Sequence, residues 1–168
     1  MKLSIQKYSF RFADQVLNGR LAIKDEVERI FLDPSIDVPS LSRPAFNKAL
    51  AERFLGRGWH PQPHVFGDAG EPAAKMDFLK DRVGVEVGFS HQSFIGIDLL
   101  KFQVSSYSAL DKIDVGVYVE TTQAFQRRVQ QEFSQNWQGS LTFEGVVRYL
   151  PHLKSAIQVP IYVLGIDL

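Results

Sequence analysis

Two acidic residues nine positions apart, Asp77 and Glu86, are the side chains of this sequence best placed to do chemistry. Asp77 sits in the short run Lys75-Met76-Asp77-Phe78-Leu79, which is followed by a turn at Lys80-Asp81. Beyond the turn, Val83, Val85, Val87 and Phe89 alternate with Arg82, Gly84, Glu86 and Gly88. A period of two is that of a β-strand, so the valines share a buried face and Glu86 lies on the other, where glycine neighbours leave room. Two strands joined by a tight turn form an antiparallel pair, which can bring both carboxylates to one edge of a sheet. Two convergent carboxylates with a nearby backbone carbonyl make a hard oxygen site that suits Mg²⁺. Such an ion polarises a phosphodiester and lowers the pKa of an attacking water. In the competing reading, Asp77 only ends a strand and Glu86 lies on a solvated face.

The surrounding elements have to hold that hairpin. Residues 1–10 include Leu3-Ser4-Ile5, which suits either a strand or the lead-in to a helix. Val27, Ile30 and Phe31 have helical spacing within Lys24–Leu32, and Asp33-Pro34 ends that helix. Pro34 and Pro39 make the segment from Asp33 to Ser42 a loop. Ser42 reads as an N-cap with Pro44 just inside a helix whose apolar stripe is Phe46, Leu50, Phe54 and Leu55, closed by Gly56 or Gly58. His60–Ala74, rich in Pro and Gly, is a loop or a broken edge strand. Ser93–Leu110 predicts a buried helix, and Lys112–Val119 a strand with Ile113, Val115, Val117 and Val119 on one face. A polar helix capped by Thr121 or Thr122 runs to about Phe133, Leu141–Leu150 predicts another, and Val159–Ile166 a buried strand. No repeat or linker interrupts the chain, so one α/β domain over residues 1–168 accounts for it.

Composition narrows the alternatives. The chain has no Cys, which excludes disulfide scaffolds and thiolate zinc sites. No apolar stretch approaches the roughly 20 residues of a membrane span, and no segment has the pattern of a secretory signal, so a cytoplasmic protein with no membrane partner is expected. Nineteen basic residues balance nineteen acidic ones. That balance counts mildly against a nucleic-acid partner, and any DNA contact must come from local clustering.

The run MDFLKDRVGVEVGF over residues 76–89 resembles the core of restriction endonucleases of the BglII and BstYI type. The likeness extends through Ser93-Phe94-Ile95, Asp98-Leu99-Leu100 and Ile113–Val117 to Val159-Pro160-Ile161 and Gly165-Ile166-Asp167, with Gly58-Trp59 ahead of it. It covers roughly residues 45–168 and is weaker in the N-terminal third. The resemblance implies a restriction-endonuclease-like α/β fold of the PD-(D/E)XK kind, with a mixed sheet core flanked by helices. It further implies a type II endonuclease, a homodimer that cuts double-stranded DNA within a short palindromic, GATC-containing site. Asp77, Glu86 and the Val87 carbonyl would then hold Mg²⁺, with water as the nucleophile.

One position departs from the pattern. Two residues after the glutamate the family carries Lys, Glu or Gln, and here stands Gly88. Glycine can neither orient a water nor offset transition-state charge. Lys75, Gln92 or Lys101 could fill the space; otherwise the protein binds DNA without cutting it. Glu52 could be an outer-shell acid, and His91 and the group Arg127-Arg128, Arg148, His152 and Lys154 could contact DNA phosphates, but an ordinary solvated surface is the favoured reading of each. His60 and His64 have zinc spacing only on a helix, which Pro61 and Pro63 prevent.

Overall fold

The computed structural model describes residues 2–40, 42–65, 75–107, 111–137 and 139–168. Their strands form one six-stranded mixed sheet. In chain order the elements are β1 (Ser4–Phe10), α1 (Ala13–Asn18), α2 (Leu21–Phe31), α3 (Arg43–Leu55), β2 (His60–Pro61), β3 (Phe78–Lys80), β4 (Val83–Val87), α4 (Ile95–Tyr107), β5 (Val115–Thr121), α5 (Gln123–Phe133), α6 (Phe143–Tyr149) and β6 (Ile161–Asp167). The strand order is β1-β6-β5-β4-β3-β2. The three central strands β4, β5 and β6 run parallel, while β1 pairs antiparallel with β6, and β3 and β2 extend the other side antiparallel.

Helices cover both faces, which is why the central strands are buried throughout rather than alternately. On one face Val83, Val85, Val115, Val117, Val119, Leu164 and Ile166 meet α2, α3 and α5 through Ile30, Phe46, Leu50, Phe54 and Phe125. On the other, Tyr118, Ile161 and Val163 meet α4 and α6 through Leu99, Phe102, Phe143 and Val146. Gly116 lets α4 approach closely, since a Cβ there would stand 2.5 Å from the Phe102 ring.

The caps match the residue types. Ser42 accepts from Ala45 N at 3.4 Å, with Pro44 in the first turn of α3, and Thr122, not Thr121, accepts from Phe125 N at 3.0 Å. Several boundaries differ from expectation. The tight turn is Asp81-Arg82, one residue later than its predicted place, and both residues have positive φ (47° and 62°). That is the geometry a two-residue hairpin loop requires. Arg82 is held in it by hydrogen bonds of 2.7–3.0 Å to the Asp114 carboxylate. Ile113 precedes β5 and packs on the α4 face, opposite Val115. Leu55 is exposed at the end of α3. The helix from residue 95 buries one stripe, Asp98, Leu99, Phe102 and Ser105, while Phe94, Ile97 and Leu100 stay exposed. The segment predicted as loop or edge strand gives β2 at its start, and 66–74 lie outside the described residues, as do 108–110 at the end of the predicted helix. Among the described residues no helix is long and apolar enough to cross a membrane.

Candidate active site

Asp77 occupies the bend that enters β3, and Glu86 sits near the end of β4. The hairpin turn brings them to one cavity of about 550 Å³, whose lining also includes Lys75, Val87, Asp98 and Lys101. A smaller cleft of about 250 Å³ adjoins it, sharing Asp77 and Val87 and reaching Asn47 on α3. Asp77 Oδ2 accepts a 2.7 Å hydrogen bond from Val87 N, which ties the bend to β4 and fixes the carboxylate.

Glu86 is 3 % exposed, so the solvated-face reading of this residue does not hold. Its Oε2 accepts from Lys101 Nζ at 3.3 Å, and its Oε1 has no hydrogen-bond partner among the described residues. Burial, followed by the neighbouring Asp77 carboxylate, pushes Glu86 up to about 9. Burial likewise raises Asp77, partly offset by the Val87 amide that favours its charged form. Burial works against the Lys101 ammonium, but Glu86 and Asp98 outweigh it and hold Lys101 above the ordinary lysine range.

Two crowded carboxyls, one of them with an oxygen that finds no partner among the described residues, are suited to sharing a cation. Among the described residues no group of three His, Asp or Glu is set to hold one alone. The groups there that would offer oxygen donors are Asp77 and Glu86, with Val87 beside them on the cavity, hard donors of the kind that suit Mg²⁺.

The structure gathers Lys75, Asp77, Glu86, Val87 and Lys101 on one cavity and leaves Gln92 out. Gln92 begins a single 3₁₀ turn, Gln92–Phe94, where it is exposed and its amide bonds Gly139 O at 3.1 Å. His91 caps that turn through Nδ1 to Ser93 N, 3.3 Å. Lys75 pairs with His64 in an antiparallel β-bridge. Glu52, Arg127 and Arg148 are exposed, and Arg128 is spent on Glu132 one helical turn away.

The space at Gly88 is taken by none of the three expected side chains. A Cβ at residue 88 would overlap Glu120 Oε1 and come within 2.8 Å of Tyr118 Cε2, both from β5. Glu120, Tyr118 and Asp98 are the residues sequence reasoning missed. Asp98 is 6 % exposed; its Oδ1 accepts from Lys101 at 3.1 Å and its Oδ2 from the Tyr118 hydroxyl at 2.9 Å. A signal for them existed: Glu120 continues the alternation that puts Val119 in the core, so an acid had to enter the opposite, equally covered face.

A sequence model of the restriction endonuclease BglII/BglIII family matches residues 5–166, reaching well into the N-terminal third where the motif likeness was weak. The fold is similar to that of restriction endonuclease BglII complexed with a DNA 16-mer, with a TM-score of 0.73 and 20 % identity over 98 % of this chain and 78 % of that one. It is also similar to free BglII, with a TM-score of 0.59 and 22 % identity over 98 % of this chain and 79 % of that one. At such identities the likeness establishes the fold, a mixed sheet flanked by helices as expected. No curated protein sequence matches.

Proposed function

This chain belongs to the BglII/BglIII family of restriction endonucleases, and from that membership and the Asp77–Glu86 cavity we propose a type II enzyme that hydrolyses double-stranded DNA with Mg²⁺. The observation that carries the metal reading is the buried Glu86 Oε1, without a partner among the described residues, beside Asp77 in an open cavity. The proposal extends to one nuclease domain spanning residues 1–168, acting in the cytoplasm as a homodimer. A dimer would match a palindromic site with its own two-fold symmetry, and the sequence resemblance suggests a GATC core.

Asp77, Glu86 and the Val87 carbonyl would hold the ion, which when bound supplies charge stabilisation at the phosphodiester and a water of lowered pKa. The chain's own groups do the rest. Asp77 is fixed by the Val87 amide, so its free oxygen keeps one direction as DNA enters. Lys101 reaches in from α4 with its charge shared between Glu86 and Asp98, and offers a fixed cation where negative charge grows on the phosphate. Lys75, also on the cavity, is placed to contact a DNA phosphate. In the reaction, water oxygen bonds to phosphorus, one ester P–O bond breaks, the water's proton passes to solvent and the leaving oxygen takes one up.

Plasmid DNA incubated with the protein tests this. Discrete fragments that need Mg²⁺, disappear with chelator and are lost in Asp77→Ala support hydrolysis. Gly88 favours one rival, a family member that binds DNA without cutting it. A specific gel shift with intact plasmid would select that rival. Sedimentation of the free protein, giving one or two chain masses, tests the homodimer.

A further inference from the structure

Behind the Asp77–Glu86 cavity lies a buried cluster that the absence of a side chain at Gly88 makes possible. Gly88 and Glu120 are neighbours across the parallel pair β4–β5, whose register sets Glu86 beside Tyr118 and Val87 beside Val119, and Gly88 N continues it to Val119 O at 2.8 Å. Side chains two residues apart on a strand share a face, so Glu86, Gly88, Tyr118 and Glu120 all project toward α4. With no side chain at 88, the Glu120 carboxyl and the edge of the Tyr118 ring move into the vacant volume. Both are fully buried. Tyr118 spends its hydroxyl proton on Asp98, 2.9 Å, and neither oxygen of Glu120 has a partner among the described residues. A buried carboxyl that is unpaired, with nothing of its own to bind, needs a reason to be there. Asp98 in turn anchors Lys101, and Lys101 reaches Glu86.

We propose that Tyr118 is a positioning residue that holds Asp98, and through it Lys101, against Glu86, and that Glu120 fills the space freed at Gly88 and so keeps the Tyr118 ring in place. Gly88 is then a requirement of this arrangement and not a lost side chain. The arrangement rests on the reading of the cavity as a nuclease centre with Lys101 as its cation. It predicts that refilling position 88 harms the site from behind: a side chain there pushes on Glu120 and Tyr118, Asp98 shifts, and the Lys101 ammonium leaves Glu86. Misplacement of a catalytic group by about 1 Å can cost on the order of a hundredfold in rate.

The test compares wild type with Gly88→Gln, Tyr118→Phe, Glu120→Ala, Glu120→Gln and the double variant Gly88→Gln/Glu120→Ala, all well below their melting temperatures. Single-turnover cleavage at saturating DNA gives the rate, and DNA affinity and Mg²⁺ calorimetry are measured alongside. Expected are rate losses approaching a hundredfold in Gly88→Gln, and at least about tenfold in Tyr118→Phe and Glu120→Ala, with DNA affinity and Mg²⁺ binding within twofold of wild type. Glu120→Gln, of the same shape, should recover most of the Glu120→Ala loss. The double variant should cut faster than Gly88→Gln alone, because the more severe overlap, with Glu120 Oε1, is removed. A purely structural role would lower melting temperature and leave the rate of folded protein untouched. A Gly88→Gln that cuts as fast as wild type or faster overturns the proposal while the nuclease reading stands. So does wild-type rate in both Tyr118→Phe and Glu120→Ala. A wild type that binds Mg²⁺ and DNA but never cuts removes the nuclease reading, and the proposal with it.

Discussion

Glu86→Gln should stabilise the metal-free protein near neutral pH and destabilise it in acid. Burial and the Asp77 carboxylate raise Glu86 from an ordinary 4.5 to about 9. At pH 7.5 the folded carboxyl is therefore protonated while the unfolded one is ionised, and unfolding releases a proton. A raised folded pKa contributes stability that is complete below the unfolded value and declines as pH climbs through the folded one. From pH 4.5 to 7.5 the wild type loses about 4 kcal/mol by this route, at about 1.4 kcal/mol per unit. Glutamine carries no such loss, but it puts two amide donors where the protonated carboxyl has one, on the side where Oε1 finds no partner among the described residues, a cost of about 2 kcal/mol. In chelator at pH 7.5 the variant should thus be the more stable by about 2 kcal/mol, some 4–8 °C in melting temperature for a chain of this size. Near pH 4.5 the sign reverses, with wild type ahead by about 2 kcal/mol. Saturating Mg²⁺ should raise wild type and leave the variant unmoved. Differential scanning calorimetry across pH, with chelator and with Mg²⁺, reads all three. A wild-type-minus-variant difference that does not change with pH refutes the electrostatic account of Glu86, and an equal Mg²⁺ shift in both proteins refutes its role as a ligand.

Asp77→Asn keeps an acceptor for the Val87 amide, now 2.7 Å away, so it should fold and melt within about 1 kcal/mol of wild type. It should nevertheless show no Mg²⁺ heat in titration calorimetry. Trp137, 2 % exposed, packs edge-on against Phe89 and Phe125 at 5.4 and 5.3 Å, and Trp137→Ala should cost about 3–5 kcal/mol in chemical denaturation. Thr122→Ala removes the cap of α5 and should cost about 1 kcal/mol by the same measurement. In Gly116→Ala a methyl would meet the Phe102 ring at 2.5 Å, with an expected loss of about 1–3 kcal/mol; unchanged stability would mean that α4 is free to back away from the sheet.

The parts of the fold that could be read from the sequence are those where local chemistry and tertiary context agree. Alternation of valines found β4 and β5, and Ser42 and Thr122 announced α3 and α5 by the need of a helix start for an acceptor. Where packing decided, the reading failed. Ser93–Leu110 is apolar enough for a buried helix, yet Phe94 just before α4 and Ile97 and Leu100 on it stay exposed, a choice made by where the sheet lies and not by composition. Ile113 fits the valine period but precedes the first ladder pair of β5, so the chain enters the strand with it on the other face. Asp77 and Glu86 were visible because a two-residue turn links their strands, which makes a long-range contact local in sequence.

Glu120, Tyr118 and Asp98 were hidden for the opposite reason: they come from β5 and α4, far in sequence from the hairpin, and only a parallel register with no short connection brings β5 against β4. A motif written along one strand describes which residues of that strand face a site, whereas the site responds to what fills each volume on that face of the sheet. In a parallel pair, a volume next to residue 88 can be filled from residue 120 equally well, because strands lie about 4.8 Å apart and a glutamate spans that distance. Reading Gly88 in isolation therefore predicts a gap, while reading it with its cross-strand neighbour predicts an exchange. The exchange has a directional consequence: once Glu120 holds the volume, any side chain at 88 must expel a buried carboxyl and the Tyr118 ring together. Restoring the family's residue at that one position should then damage the site that the family's residue serves elsewhere.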